Sequence, residues 1–142
     1  VIFILFFIVF LNIFFVTKFM IANHPYQNMY FNKLAGFNMQ SIRNNFEFDY
    51  WGLSYRKALE FILDNDASSQ INIFVDSSPG NINYYILTAE NKERVNYVQN
   101  ESKAEYFIGN YKFHKEDYPY DNNFFSIKIK NAEIISVYKL VD

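Results

Sequence analysis

The sequence has no cysteine and few glycines and prolines, four and three among 142 residues. It therefore has no disulfide framework and no thiolate chemistry. It also lacks a Gly-rich phosphate loop, a nucleophile elbow and zinc-ligand spacing. Its net charge of −2 comes without any run of Lys and Arg, and nucleic-acid binding needs such a run to neutralise phosphates. We expect no metal, no cofactor and no nucleic-acid partner.

Apolar residues are abundant, and they are concentrated at the start of the chain. Hydrophobic residues make up 51% of the sequence, yet residues 1–16 contain one polar residue, Asn12, and no charge. As a helix, residues 1–22 would be about 33 Å long, and a bilayer core is ~30 Å thick. This segment is predicted to be a transmembrane helix.

Two alternatives for residues 1–22 fit the sequence less well. A signal peptide would have a charged start, a shorter apolar stretch and a small-residue cleavage site, and the segment has none of these. A buried core helix would place phenylalanines on every side of the helix. We therefore expect residues 1–22 to be the last transmembrane helix of a truncated longer protein.

Residues 23–48 are predicted to be an interfacial aromatic segment followed by a loop. Pro25 prevents the first helix from continuing. The sequence then has aromatic and polar side chains suited to the lipid headgroup layer, namely His24, Tyr26, Tyr30 and Phe31. Residues 39–48 have no clear periodicity and are expected to form a loop.

Residues 49–142 are predicted to form a small extracytoplasmic domain, and two helices are expected in it. The first carries an apolar stripe with helical spacing, and Ser54 is its expected N-cap. The stripe consists of Tyr55, Ala58, Leu59, Ile62 and Leu63. The second is expected to begin at Ser78-Pro79 and to bury Ile82, Tyr85 and Ile86.

Five segments are predicted to be strands, because their residues alternate between apolar and polar or are rich in β-branched side chains. Residues 71–76 and 94–98 flank the second helix, so they are expected to pair in parallel. Residues 105–111 follow, and residues 124–130 and 133–140 are expected to form a hairpin about Asn131-Ala132. The predicted fold class is α/β (α+β), with a mixed sheet of about five strands and two main helices, ending in a β-hairpin.

Several segments, in order along nearly the whole chain, resemble a known family. They are "HPYQNMYFN" (24–32), "FDYWGLSYRKAL" (48–59), "EYFIGNY" (105–111), "DYP" (117–119) and "SVYKL" (136–140). Together they resemble the C-terminal region of bacterial polytopic GT-C glycosyltransferases of the dolichyl-phosphate-mannose–protein mannosyltransferase-like group (glycosyltransferase family 39-like). Two positions depart from that pattern, because Phe37 and Ala132 stand where the family has glycine. With Ala132 in the hairpin turn, a loop longer than two residues is expected.

The resemblance implies an integral-membrane enzyme that transfers a sugar from a polyprenyl-phosphate donor to an extracytoplasmic acceptor. The protein would lie in the lipid bilayer of the bacterial inner (plasma) membrane, with the C-terminal domain outside the cytoplasm. The family places its catalytic carboxylate in the first outer loop, near the start of the whole protein. The resemblance therefore assigns no catalytic residue to this chain, and the domain would support the active-site face.

The stretch "EFDYWG" (47–52) holds the candidate ligand-binding residues Asp49, Tyr50 and Trp51. In one interpretation an aromatic ring stacks on a sugar, Asp49 accepts a bond from a sugar hydroxyl, and the helix N-terminus meets a phosphate. In the other, Trp51 packs the helix against the sheet or the bilayer, Asp49 bonds backbone amides, and Gly52 forms a tight turn. The structural interpretation is favoured.

The remaining candidates are weaker. His24 is a proton shuttle or a polar anchor beside the membrane, with Tyr26 close to it in sequence. Glu47 and Asp49 would share a face if their segment were a strand, and they would then be a candidate carboxylate pair of the glycosidase type. Three signals are less specific. His114, in a charged loop, is a weak candidate for metal binding, and Asp117, Tyr118 and Tyr120 are expected to form an aromatic surface turn. Asn100-Glu101-Ser102 matches the acceptor pattern for glycosylation.

Two other functions remain open on the sequence alone. The chain would act as a membrane-anchored, non-catalytic module that binds glycan or protein if residues 1–22 were its only span. Otherwise it would be a structural cap on another kind of polytopic protein.

Overall fold

The structure is a computed structural model of the chain, and it describes residues 1–141. Its α-helices are α1 (Ile2–Ala22), α2 (Met39–Asn45), α3 (Leu53–Asn65) and α4 (Ala89–Arg94). Its strands are β1 (Ile71–Val75), β2 (Val95–Tyr97), β3 (Tyr106–Gly109), β4 (Asn123–Ile129) and β5 (Ala132–Lys139). Short 3₁₀ helices cover Gln27–Met29, Gly80–Ile86 and Glu101–Lys103.

The five strands form one mixed sheet in the order β2-β1-β3-β5-β4. Strand β1 lies parallel to both β2 and β3, while β5 lies antiparallel to β3 and to β4. The predicted α/β class, the parallel β1–β2 pair and the terminal hairpin are therefore confirmed. The carboxyl ends of β1 and β3 lie side by side, which is where open α/β sheets place their ligand-binding loops.

Helix α3 covers one face of the sheet with the predicted apolar stripe. All five stripe residues are buried and pack against Ile73 of β1 and Ile135 and Val137 of β5. Burying a side chain of leucine size stabilises the fold by roughly 2 kcal/mol. The predicted cap is wrong, because the helix begins at Leu53 with Gly52 at its N-cap position.

The expected loop at 39–48 is in part a helix, α2. Asn38 caps it, because its side-chain oxygen accepts a hydrogen bond from the Ser41 amide at 2.7 Å. Met39 and Ile42, three residues apart on one face, are both buried. Two apolar positions are too few to show a helical period in the sequence. The sequence alone therefore does not predict this helix, whose apolar face is defined by its tertiary contacts.

The second predicted helix has the wrong geometry and the wrong buried face. Residues Gly80–Ile86 form a 3₁₀ helix, and Ile82, Tyr85 and Ile86 are all exposed. With three residues per turn, positions three apart share a side, so 82 and 85 face outward together. Tyr84 and Leu87, also three apart, pack against the core instead.

The hairpin turn contains two residues, not the longer loop that Ala132 led us to expect. Ile129 pairs directly with Ala132, so the turn residues are Lys130 and Asn131. The left-handed backbone falls on Lys130, with φ of 55°. Ala132 is a strand residue and does not need a positive φ.

Helix α1 is long and apolar enough to span a membrane. None of its residues is buried, so the alternative of a core helix is wrong. It joins the domain at its end, where Phe19 packs against a second apolar cluster that contains Tyr26 and Met29. Tyr26 is therefore buried among side chains of the domain, and its predicted depth in the headgroup layer stays a prediction.

Candidate functional site

The loop from Asp49 to Gly52, here called the aromatic loop, turns the chain into α3. Gly52 has φ of +66°, a conformation that disfavours side chains, and it lies against the ring of Pro79. A Cβ at this position would be 2.7 Å from Pro79 Cγ. The predicted tight turn at Gly52 is confirmed, and it docks the aromatic loop onto the segment that follows β1.

The carboxylate of Asp49 caps α3 from inside the domain. Its Oδ1 accepts a hydrogen bond from the Leu53 amide, and its Oδ2 accepts one from the Ser54 amide, both at 2.9 Å. The Ser54 hydroxyl also donates to Oδ2. Burial raises the pKa of Asp49, and these hydrogen bonds partly oppose that shift.

These contacts favour the structural interpretation of Asp49. The side chain is fully buried, and both of its oxygens are engaged within the domain. The amides that begin α3 point at this carboxylate, so the first-turn donors that a bound phosphate would use are already satisfied.

The two aromatic rings of the loop point outward. Trp51 is 71% exposed and Tyr50 is 48% exposed, and their rings meet edge to face at 5.2 Å. The ammonium group of Lys112 lies 4.1 Å from the centre of the Tyr50 ring, a cation–π contact. Trp51 does not pack α3 against the sheet, and its packing against a bilayer, the other form of the structural interpretation, stays a prediction.

His24 and Tyr26 lie elsewhere, in a groove of about 620 Å³ at the end of α1. Three walls define this helix-end groove: residues 24–26, one side of α3, and residues 125–128 of β4. The α3 wall consists of Leu53, Arg56, Lys57 and Glu60. Burial and the negative charges of nearby Asp49 and Glu60 raise the pKa of the Tyr26 hydroxyl.

The helix-end groove carries three cationic side chains and one carboxylate. The Arg56 guanidinium donates from Nε to Glu60 at 2.7 Å, and Lys57 Nζ is 4.0 Å from the same carboxylate. Lys128 Nζ lies 3.1 Å from Glu133, which is outside the groove lining. All three cations are more than half exposed, and three cations against the one carboxylate of the lining leave the groove with a net positive charge.

The structure thus separates the predicted site residues into two places. Asp49, Tyr50 and Trp51 form the aromatic loop, whereas His24 and Tyr26 belong to the helix-end groove. The sequence does not single out the groove cations, because polar positions on the outer faces of a helix and a strand are typical of solvent-facing residues. Their only signal in the sequence was the position of Arg56, Lys57 and Lys128 on the predicted polar faces of α3 and β4.

Several weaker candidates are placed differently from expectation. Glu47 is exposed and Asp49 buried, and the two lie outside any strand, so they do not share a face. Tyr118 is buried rather than in a surface turn, and its hydroxyl donates to Asp76 at 2.7 Å. His114 stacks on the Tyr118 ring at 4.6 Å. Asn100 caps the next turn, its oxygen accepting from the Ser102 amide at 3.0 Å.

A buried polar cluster lies where β1 and β3 end. Ser77 donates to Asn110 Oδ1 at 2.9 Å, and Asn110 Nδ2 donates to the backbone oxygen of Asp49 at 3.0 Å. Within residues 1–141, every buried side-chain nitrogen or oxygen has a partner. The cluster therefore ties the aromatic loop to the sheet and offers a ligand no free group.

Comparisons of the chain with protein-family models, curated proteins and solved structures find no match.

Proposed function

We propose that this chain is the C-terminal part of an integral-membrane glycosyltransferase that uses a polyprenyl-phosphate sugar donor. The acceptor and the domain that follows α1 would both be extracytoplasmic. Support comes from the resemblance of the ordered segments to GT-C enzymes and from α1, which is long and apolar enough to be the last span. In this proposal the domain braces the active-site face and the catalytic base lies upstream.

One observation carries the supporting role of the domain: the engagement of Asp49. The acid beside the exposed aromatic rings is fully buried and receives three hydrogen bonds from Leu53 and Ser54. A general base must reach the proton that it removes, and this carboxylate faces the interior of the domain. In this proposal Asp49 therefore fixes the start of α3 and takes no part in proton transfer.

The test is to express the entire reading frame that contains the Val1 codon and assay its membranes. Transfer of labelled hexose from a polyprenyl-phosphate donor is the expected result. Glu47→Gln, in the exposed part of the same segment, should leave kcat within about twofold, since the base is expected elsewhere. Absence of transfer from every polyprenyl-phosphate hexose would contradict the proposal. A loss of kcat above roughly 100-fold in folded Glu47→Gln would contradict the supporting role.

A second candidate, a membrane-anchored glycan-binding module, is favoured by the exposed Trp51 ring. An exposed tryptophan beside a tyrosine offers a flat apolar surface for a sugar ring. The full chain in lipid nanodiscs should then bind immobilised glycans, and Trp51→Ala should weaken that binding at least tenfold. Tyr85→Ala is the matched control, because Tyr85 is an equally exposed aromatic residue outside the loop. If the wild-type chain retains no glycan, this candidate is rejected and the first is unaffected.

A further inference from the structure

The helix-end groove opens where the chain leaves the apolar helix α1. Helix α1 ends at Ala22, and His24 and Pro25 already line the groove. This largely apolar helix of 21 residues is long enough to span the bilayer core, so residues just beyond it would lie at the lipid headgroups. A role for this groove at the headgroups requires α1 to lie in the membrane and does not require glycosyl transfer.

The polar walls of the groove are rich in hydrogen-bond donors. The Arg56 side chain uses Nε for Glu60, and within residues 1–141 nothing accepts from its two Nη groups. Lys57 Nζ is only at the limit of contact with the same carboxylate, at 4.0 Å. An arginine fork beside a lysine matches the oxygen atoms of a phosphate.

His24 adds one more donor. Its Nδ1 lies 2.6 Å from Gln27 Nε2, and an amide nitrogen can only donate. Nδ1 therefore accepts, and the ring proton of the neutral imidazole is on Nε2. This leaves Nε2–H on an exposed side chain that lines the groove.

The groove also has an apolar part, and the domain around it is acidic. Pro25, Leu53, Phe125 and Ile127 form the apolar part of the lining. Lys18 is the only charged residue among the first 22, so the remainder of the chain holds 12 of the 13 basic and all 15 acidic side chains. A cluster of three cations in a net acidic domain is a local feature, not the consequence of a general positive charge.

We propose that the helix-end groove binds the phosphate of an anionic membrane lipid. Arg56, Lys57 and His24 contact the phosphate oxygens, Lys128 faces it from β4, and the apolar lining receives the glycerol and the upper acyl chain. The bound lipid would hold the domain against the bilayer surface beside α1. A soluble phosphate ester shares this chemistry, so the experiment includes both sources.

The test uses the full chain in detergent micelles, titrated with phosphatidylglycerol and followed by native mass spectrometry. We expect phosphatidylglycerol to bind more tightly than phosphatidylcholine, whose ammonium group opposes the groove cations. Each cation near an anionic lipid surface is worth about fivefold in affinity, so Arg56→Gln/Lys57→Gln should weaken binding roughly 30-fold. Both side chains are more than half exposed, so the variant should fold, as circular dichroism would verify.

The matched control is Lys92→Gln/Lys103→Gln, which removes two charges outside the groove. It should change the affinity by less than about twofold. Equal losses in the two double variants would mean that lipid responds only to overall charge, and this would overturn the proposal. Unchanged binding in Arg56→Gln/Lys57→Gln would also overturn it. Glycerol 3-phosphate binding as tightly as phosphatidylglycerol would make the groove a soluble phosphate-ester site and would overturn the assignment to a lipid.

Discussion

Replacing Asp49 with alanine tests whether this buried carboxylate holds α3 in place. The substitution leaves the Leu53 amide, the Ser54 amide and the Ser54 hydroxyl without their acceptor. Ser54 is buried, and a buried donor that loses its partner costs about 1–3 kcal/mol. Losing a helix cap costs about 1 kcal/mol in typical cases.

Removing the carboxylate also removes the cost of burying its charge. Counting about 1 kcal/mol for each of the three donors, at the lower end of the range, we expect Asp49→Ala to reduce the free energy of unfolding by roughly 3 kcal/mol. For a domain of roughly 120 residues this lowers Tm by about 12 °C. Asp49→Asn retains one acceptor oxygen, which can serve both donors of Ser54. This variant should therefore lose about 1 kcal/mol of the free energy of unfolding.

The assay is thermal unfolding of the full chain in micelles, followed by far-ultraviolet circular dichroism. Glu47→Ala is the control, because this acid is two residues away and exposed, and its effect should stay within about 0.5 kcal/mol. A double-mutant cycle of Asp49→Ala with Ser54→Ala should show a coupling energy of about 1 kcal/mol. If Asp49→Ala lies within about 0.5 kcal/mol of wild type, the control's range, the capping argument is refuted.

Burial gives Asp49 a pH dependence whose sign differs from that of a typical paired carboxylate. Its pKa is higher in the folded state than its ordinary value of 3.8, so the folded state holds the proton more tightly. Its contribution to stability is fully present below the unfolded pKa and is lost as the pH rises through the folded pKa. Asp49→Asn should remove this decline, measured as Tm against pH above the ordinary value of 3.8. A decline of the same size in the Asp49→Asn variant would assign it to another group.

Two further substitutions test the turn and the sheet. Gly52→Ala should reduce the free energy of unfolding by about 2 kcal/mol, because alanine is strained at a positive φ and its Cβ would press on Pro79. A decrease in Tm of less than about 2 °C would contradict this. Burial alone would raise the pKa of Glu133, but hydrogen bonds from Tyr111 and Lys128 bring it below its ordinary 4.5. The stability that Glu133 contributes is therefore complete above pH 4.5 and is lost as the pH falls through the folded pKa. Glu133→Gln should flatten the fall of Tm on the acid side, and an unchanged acid profile would refute the assignment.

Local patterns in the sequence predicted those elements whose buried face repeats regularly. The five-residue stripe of α3 and the alternation of apolar and polar residues in β4 each report a period over two or more turns or pleats, whereas β5 is buried on both faces. The buried face predicted for the Gly80–Ile86 segment is wrong, because the tighter 3₁₀ winding changes which positions share a side. A short apolar set fits either winding, and only contact with the core selects between them.

The candidate site was predicted in its residue types but not in its arrangement. The aromatic loop was recognised, and the bonds from Asp49 to backbone amides are confirmed. The sequence left the exposure of Trp51 open, since a lone tryptophan beside a helix start is compatible with both a packed and an exposed ring. The helix-end groove joins side chains distant in the chain, such as Arg56 and Lys128, and no local pattern connects them.

By itself, the sequence determined the apolar helix, the strand order along the chain, the buried face of α3 and the α/β class. These follow from runs and periods within single segments, where neighbouring residues report the same environment. Only the tertiary structure decided that Asp49 turns inward, that Tyr26 joins the core, and that His24 shares a groove with Arg56 and Lys57. Each of these depends on contacts between segments distant in the chain, whose free energies are set by burial and charge in the assembled domain.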